Sequence, residues 1–468
     1  MQKPILVWFR RDLRLSDHQG LSWATAQGRP IIPVFILDPE TEGLGAAPKW
    51  RLGLAAENFA KSLGALGSKL IFRRGDAIDV LSALIAETGA DTVIWSRAYD
   101  PTSIERDTRV KAALQDQGIE AKSFAGHLLY EPWVPKTKTG GHFKVYTPFW
   151  RSVSVSMTVE VPLPAVTTLN PPENWPQSDA IADWDMGAAM RRGAVVVAQY
   201  ICVGEAAAQN CLSDFIQTKI DAYKQDRDYP ASAATSGLSE NLTYGEISPR
   251  QAYHAGRAAM DAGAKGAEHF LKELTWREFA YHLLWNFPEL DQNPWRPEWS
   301  DFSWKQEDAL FWKQGRTGIE FVDAAMRELY VTGIMHNRAR MIVGSYLTKN
   351  LGIDWRVGLK WFEDCLIDWD PASNAMGWQW IAGCGPDAAP YFRIFNPQTQ
   401  AEKFDVDRTY RDRFLDTENS GDARAFFAAC PVSWNLDSSE RVIEPAVPLS
   451  KTRKNALLAY EKFKELRG

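Results

Sequence analysis

The polar residues with the most chemistry in their spacing lie late in the chain, in Asp368-Trp-Asp370-Pro-Ala-Ser-Asn374-Ala-Met-Gly-Trp378-Gln-Trp380. Two carboxylates two residues apart, followed by an amide, can accept hydrogen bonds from the N–H groups of a heterocycle or from a ribose. A D-x-D pair can also bind a metal, although Trp369 and Pro371 do not suit an EF-hand loop. Equally, Asp370 ahead of a proline reads as a helix cap. A second cluster is Met335-His336-Asn337-Arg338-Ala339-Arg340-Met341. On a helix, Asn337, Arg340 and Met341 share a face. Its two arginines can contact phosphate or pair with carboxylates such as Asp368, or simply form a salt-bridged helix surface. Glu273, Trp276 and Arg277 stand at i, i+3 and i+4. They read either as a carboxylate and an aromatic wall facing a flat ligand, or as a surface ion pair shielded by an indole. Finally, Arg227-Asp-Tyr-Pro-Ala-Ser-Ala-Ala-Thr235-Ser236-Gly237-Leu238-Ser239 is a hydroxyl-rich turn opening a helix. Such turns bind phosphate through free backbone N–H groups, and elsewhere only cap.

Other chemistries are excluded. No G-x-G-x-x-G follows the first apolar run, no Walker A pattern occurs, and the seven histidines include neither H-E-x-x-H nor a pair plus carboxylate at metal spacing. G-x-S-x-G is missing too. The five cysteines contain no CxxC, so neither a disulfide framework nor a zinc or iron–sulfur motif is visible; no metal is expected, and a reducing cytoplasm is. The opening MQKPILVWFRRD is too short for a signal core or a membrane span, and no later run approaches the roughly twenty apolar residues a span needs. The net charge of −6 argues against non-specific coating of nucleic acid but leaves room for a local basic groove.

These residues need elements to position them. Residues 1 to about 130 alternate β-rich runs (Pro4–Phe9, Ile31–Leu37, Leu70–Arg73, Asp91–Trp95) with amphipathic stretches such as Trp50–Leu66 and Ala77–Thr88. That rhythm predicts a parallel, Rossmann-like sheet wrapped by helices. The Pro-, Thr- and Ser-rich stretch that includes VPLPAVTTLNPPENWP reads as a surface linker. Beyond it helical periodicity dominates, as in His269–Trp285. The expected architecture is an α/β domain over 1–130, a linker over 131–200 and a large all-helical domain over 201–468. The chain has 20 tryptophans, and eleven fall between Trp276 and Trp380, inside the helical part. A buried indole N–H needs a partner that Leu, Ile or Val would not, so this regional excess asks for a local cause.

WFRRDLRLSDH at 8–18, KVYTPFWR at 144–151, TSGLS at 235–239, ELTWREF at 273–279, TGIEFVDAAMREL at 317–329, MHNRARM at 335–341, and DPASNAMGWQW with APYFRIFNPQTQAEKFD up to Asp405 together resemble the DNA photolyase/cryptochrome family. The resemblance implies FAD in the helical domain and a light-harvesting chromophore with the α/β domain. Tyr223, Thr235, Ser236, Gly237, Leu238 and Ser239 would hold the phosphate side of FAD, with Arg277. Asp368 and Asp370 would face the flavin and adenosine side, Arg340 would pair with Asp368, and Asn374 would lie beside flavin N5. Glu273, Trp276, Arg338, Met341 and Trp380 would line a pocket for a flipped-out lesion, with Arg227, Asn337 and Lys403 on the DNA. Glu273 would stabilise the substrate radical, which places it with Asn374 and Met341 among the catalytic residues. Trp378, Trp355 and Trp304 would relay electrons from the surface to the flavin.

Within the family, Asn337 and Met341 resemble enzymes that repair cyclobutane pyrimidine dimers, where (6-4) photolyases carry histidines. Asn374 stands where plant cryptochromes have Asp and insect ones Cys. The implied activity is therefore light-driven repair of pyrimidine dimers in UV-damaged DNA by a cytoplasmic monomer. The alternatives are a (6-4) photolyase or a blue-light receptor, whose usual long C-terminal extension is not seen beyond LSKTRKNALLAYEKFKELRG. Ile334 replaces a Trp common in relatives, and Thr102-Ser103 replaces a folate-binding Asn-Glu pair. Both changes resemble the class III branch, which favours methenyltetrahydrofolate over 8-hydroxy-deazaflavin as the second chromophore.

Overall fold

The structure is a computed structural model and describes residues 2–388, 390–438 and 448–467. Of the segments quoted above, Met1, Ala389 and Gly468 lie outside the described residues. Five parallel strands, β1 (Ile5–Phe9), β2 (Ile31–Leu37), β3 (Ile71–Arg74), β4 (Thr92–Ser96) and β5 (Glu120–Phe124), form one sheet in the order β3-β2-β1-β4-β5. Ile5 of β1 pairs with Ile31 of β2 and with Thr92 of β4. Alternation along β1 divides the core. Ile5, Val7 and Phe9 pack with Leu52 and Phe59, whereas Leu6 and Trp8 pack with Leu81 and Leu84 on the other face. Both faces are thus covered, as the near-continuous apolar strands require.

Four strands match the sequence expectation to within a residue or so. β5 was not anticipated, because its sequence EAKSF is polar; it is the sheet edge, paired on one side only and half exposed. The helix over Ala77–Thr88 has the expected bounds, with Asp76 accepting from the Ile78 N–H at its start and Gly89 left-handed (φ 69°) at its end.

The stretch expected as a surface linker is only partly one. It contains a helix, α1 (Tyr146–Ser156), whose Phe149 and Val153 are buried in the helical core. Pro148 does not break it, because a proline in the first turn lacks only an N–H that would have no helical partner. The strand-like stretch that follows is stitched to the sheet domain. Leu163 N–H donates to Asp17 Oδ1 (3.0 Å), Val166 N–H to the Leu15 carbonyl (3.2 Å), and Ile31 N–H to the Asn170 carbonyl (2.8 Å).

The remainder is helical, with one large core and a smaller apolar cluster around Tyr223 and Leu238. Its seam with the sheet domain centres on Arg51, whose side chain is wholly buried. The guanidinium donates to Glu240 Oε2 (2.7 Å) and to both oxygens of Glu246 (2.6 and 3.1 Å). Among the described residues no helix is long and apolar enough to cross a membrane, and no three His, Cys, Asp or Glu side chains gather to hold a metal.

Candidate functional site

Asp370 and Asp368 are both fixed, by different partners. Asp370 caps the helix α2 (Pro371–Ala382), accepting from the Ser373 N–H at 2.8 Å, with Pro371 at the first helical position. Its other oxygen accepts from the Tyr281 hydroxyl at 2.5 Å, and burial together with this carboxylate holds that phenol well above its ordinary value. Asp368 accepts a two-pronged bond from Arg340 Nη2 (2.8 and 3.0 Å), while Arg340 Nε donates to the Met335 carbonyl (2.7 Å). Asn374 lies one turn into the same helix, its amide oriented by donation to the Leu359 carbonyl (3.1 Å).

The hydroxyl-rich turn adjoins these carboxylates. Thr243 Oγ1 lies 3.0 Å from the Ser239 carbonyl and 3.2 Å from the Asp368 carbonyl, linking the two segments. Gly237 takes a left-handed conformation (φ 67°), which turns the chain so that Leu238 plugs inward, while Thr235 and Ser239 face out and Ser236 is half-buried. Leu238 shares its apolar cluster with Tyr223, whose phenol burial pushes up to about 12. Hydroxyls and backbone N–H groups on a rigid apolar base, with no acid between Thr235 and Ser239, are a donor set that suits a diphosphate.

Arg277 does not join them. Its guanidinium donates to the His127 carbonyl (2.8 Å), meets His127 Nε2 (3.0 Å) and lies over the Tyr281 ring. Burial and this guanidinium keep His127 neutral, well below the usual imidazole range. The structure thus brings Arg277 to His127 and Tyr281, and not to the Thr235–Ser239 turn. It lies four residues beyond Glu273 on the same side of the helix, and the sheet domain offers it a backbone carbonyl.

A second constellation gathers beside this one. Arg227 forms an ion pair with Glu273, and Arg338 pairs with Asp228 at 2.6 Å. Phe404 sits among Arg338, Lys403 and Tyr229: the two cations lie 4.3 and 4.9 Å from its centroid, and the Tyr229 ring meets it edge-on. Asn337 is exposed at the start of the helix α3 (Asn337–Ser345), with Met341 one turn on and half-buried. Trp276 stacks on Tyr146 at 3.6 Å between centroids and 9° between planes. Trp380 is half-buried near Phe395. Tyr146, Asp228 and Phe404 were given no role from the sequence, although all three lie in motifs or turns quoted above.

The three proposed relay indoles run from the core outward. Trp378 and Trp355 are buried and Trp304 is half-buried. Trp355 opens the helix α4 (Trp355–Cys365), which packs across α2, and a parallel bridge between Lys305 and Ile353 brings the Trp304 segment alongside. Among the described residues none of the three rings stacks on another. Trp378 instead meets Phe362 (4.9 Å) and Trp312 (6.3 Å), and Trp304 meets Phe302, Trp299 and Tyr391. The Trp378 Nε1–H is buried without a partner.

A separate crevice opens at the carboxyl ends of β1 and β4, where the strand order reverses and α/β sheets commonly take ligands. It is lined by Arg10, Asp12, Ser96, Tyr99 and Thr102 from the sheet domain, and by Tyr281 and Trp369 from the helical part. Thr102 and Ser103 are engaged locally, both donating to Asp100 (2.8 and 3.0 Å).

Residues 5–168 match the family model described as DNA photolyase, and residues 270–462 match the FAD binding domain of DNA photolyase. The chain is 45% identical to a deoxyribodipyrimidine photo-lyase of Agrobacterium fabrum, over 88% of this chain and 87% of that one. It is 35% identical to Cryptochrome-1 of Arabidopsis thaliana, over 88% of this chain and 62% of that one. Among solved structures, a bacterial class III photolyase from Agrobacterium tumefaciens superposes with a TM-score of 0.91 at 42% identity, covering 99% of this chain and 98% of that one.

Proposed function

The chain belongs to the DNA photolyase family, and from that premise we propose that it is a light-driven lyase that repairs cyclobutane pyrimidine dimers in UV-damaged DNA. The observation that carries this reading is the convergence of two sites in the helical part. One is a cofactor cradle built from the Thr235–Ser239 turn, Asp368, Asp370 and Asn374; the other, beside it, is the cluster of Arg227, Glu273, Arg338, Met341 and Lys403. The helical part carries FAD, which in its reduced form supplies on illumination the electron that opens the cyclobutane ring.

Each side chain has a role in that proposal. Thr235, Ser236 and Ser239 with Gly237 and Leu238 bind the diphosphate over Tyr223, and Asp368, held by Arg340, accepts from the N–H groups of the ring system. Photolyases are among the enzymes that extrude a nucleotide from the duplex, at a cost lowered when pairing is already weakened by damage. Lys403, Arg338 and Arg227 meet the DNA backbone, and Trp276 and Trp380 wall the extruded dimer. Glu273 hydrogen-bonds the polar edge of the pyrimidine as charge develops there, an interaction worth most once the electron has arrived.

In the crevice at the sheet ends we place a second chromophore, methenyltetrahydrofolate in preference to 8-hydroxy-deazaflavin, in a protein that acts as a monomer in the cytoplasm. Thr102 and Ser103, spent on capping, leave that edge without the acid and amide of the folate-binding pair, which fits an altered seat for the pterin.

The decisive experiment incubates the purified, reduced protein with UV-treated oligo(dT) under blue light. Dimer content is expected to fall; unchanged dimers with bound, reduced FAD would sink the repair reading in favour of a photoreceptor. A near-UV absorption band beyond that of the flavin, extractable as a pterin, tests the second chromophore.

A further inference from the structure

Two cysteines that no part of the repair chemistry uses lie against each other behind the cofactor turn. Cys202 Sγ and Cys211 Sγ are 3.1 Å apart, both half-buried and both free thiols. A covalent S–S bond needs a separation of about 2.05 Å, so closing the pair requires a movement of about 1 Å.

The surroundings make this pair consequential. The backbone of Cys202 is clamped on both sides: its N–H donates to Glu240 Oε1 (2.9 Å), and its carbonyl accepts from Arg51 Nη2 (2.8 Å) and Asn241 Nδ2 (2.7 Å). Glu240 directly follows Ser239 of the phosphate turn. Gly204, two residues on, donates to Glu246 Oε1 (2.9 Å) with φ 97°, and a Cβ there would fall 2.2 Å from Asn58 Oδ1. Cys211 lies on the helix Glu205–Asp214, whose first residue accepts from the Leu15 and Ser16 N–H groups of the sheet domain (2.7 and 2.9 Å). It also packs against the cluster that holds Tyr223 and Leu238. One sulfur is therefore anchored to the inter-domain ion network and the other to the apolar base of the cofactor turn.

We propose that Cys202 and Cys211 form a redox-responsive dithiol, closed to a disulfide by a small-molecule disulfide of the glutathione class, and that closure locks the seam behind the FAD-phosphate turn. The thiolate of Cys211 attacks one sulfur of the small disulfide and expels one thiol. Cys202 then attacks the mixed disulfide at Cys211 and expels the second. Two protein thiols are oxidised, one small disulfide is reduced to two thiols, and the two protons end on those thiols. Cys202 is the resolving thiol because its sulfur already touches Cys211; burial and the neighbouring thiol push it up to about 12, so its proton must leave as it attacks and closure is the slow step. The lock rests on FAD binding, whereas bridge formation does not, so the two parts fail separately.

The test uses the full-length holoprotein equilibrated with oxidised glutathione and digested without reduction. A peptide bridged between Cys202 and Cys211 is expected, reversed by dithiothreitol. In Cys202→Ser, Cys211 should instead retain a single glutathionyl adduct that the wild-type protein does not keep. Release of FAD on dilution should slow by at least about threefold on oxidation, with no such change in the variant. Free thiols at both positions, or a stable adduct on wild-type Cys211, would overturn the dithiol. A bridge that leaves FAD release unchanged would overturn the lock.

Discussion

At the scale of single residues, Trp378 packs its indole edge-on against Phe362 and Trp312. Its ring is buried, and among the described residues no protein group accepts from its Nε1–H. An electron relay needs the readily oxidised indole, which the ring of phenylalanine does not replace. Trp378→Phe is accordingly expected to abolish photoreduction of oxidised FAD while sparing repair by protein reduced chemically; flash photolysis and dimer loss separate the two, and loss of both would remove Trp378 from the relay. A second residue sets a pH dependence. Glu278 is fully buried, accepting from the Leu129 N–H (2.8 Å) and the Tyr130 N–H (3.3 Å), and burial lifts it to about 7. Its unfolded value is about 4.3, so between the two the folded state holds a proton that the unfolded chain has lost, and stability falls as pH rises through that window. Glu328, buried between the Tyr410 hydroxyl and the His336 N–H, is lifted to about 7 and acts in the same direction. Thermal unfolding should therefore drop in temperature from pH 5 to pH 8, and Glu278→Gln should flatten the slope; an unchanged slope would exclude Glu278 as a source.

At the scale of elements, α4 and α2 approach each other closely. Gly358 faces Trp378 so tightly that a Cβ there would lie 2.0 Å from its Cη2. The glycine is needed for contact and not for backbone conformation, since the helix keeps ordinary dihedrals there. Gly358→Ala must push the indole aside, at a cost of about 1–3 kcal/mol. Photoreduction should slow along with a lower unfolding temperature, and a variant that is destabilised yet photoreduces normally would show that the Trp378 position is not critical. Elements also account for what was and was not legible in the sequence. Apolar strands and the capped helix over Ala77–Thr88 are local patterns, and they carry their own bounds. β5 was missed because an edge strand is held by one neighbour and need not be apolar. The helix Tyr146–Ser156 was missed because Pro and Ser suggest a loop, while the docking of Phe149 and Val153 into a distant core overrides that preference.

At the scale of the whole molecule, the sheet domain and the helical part meet at a buried charge network. Arg51 serves two carboxylates, Glu240 and Glu246, which without it would be buried ions. Arg51→Ala is expected to cost about 3–5 kcal/mol, read by urea unfolding, and to loosen FAD, because Glu240 adjoins the phosphate turn. A loss below about 1 kcal/mol would mean that water relieves the carboxylates.

The sequence by itself determined the family and the parallel sheet followed by helices, and its long motifs supplied the side chains proposed for the two neighbouring sites. It also offered Asp370 as either cap or ligand-facing carboxylate, and the fold makes it a cap that in addition binds Tyr281. Only the tertiary structure decided partners across sequence distance. It turned Arg277 toward His127 and set Arg338 on Asp228. It also stacked Trp276 on Tyr146 and brought two cysteines into contact behind the cofactor turn. Helical spacing specifies which side chains share a face, but a long guanidinium or an indole settles on whatever acceptor or ring the neighbouring element presents, and that neighbour is chosen by packing of the whole chain.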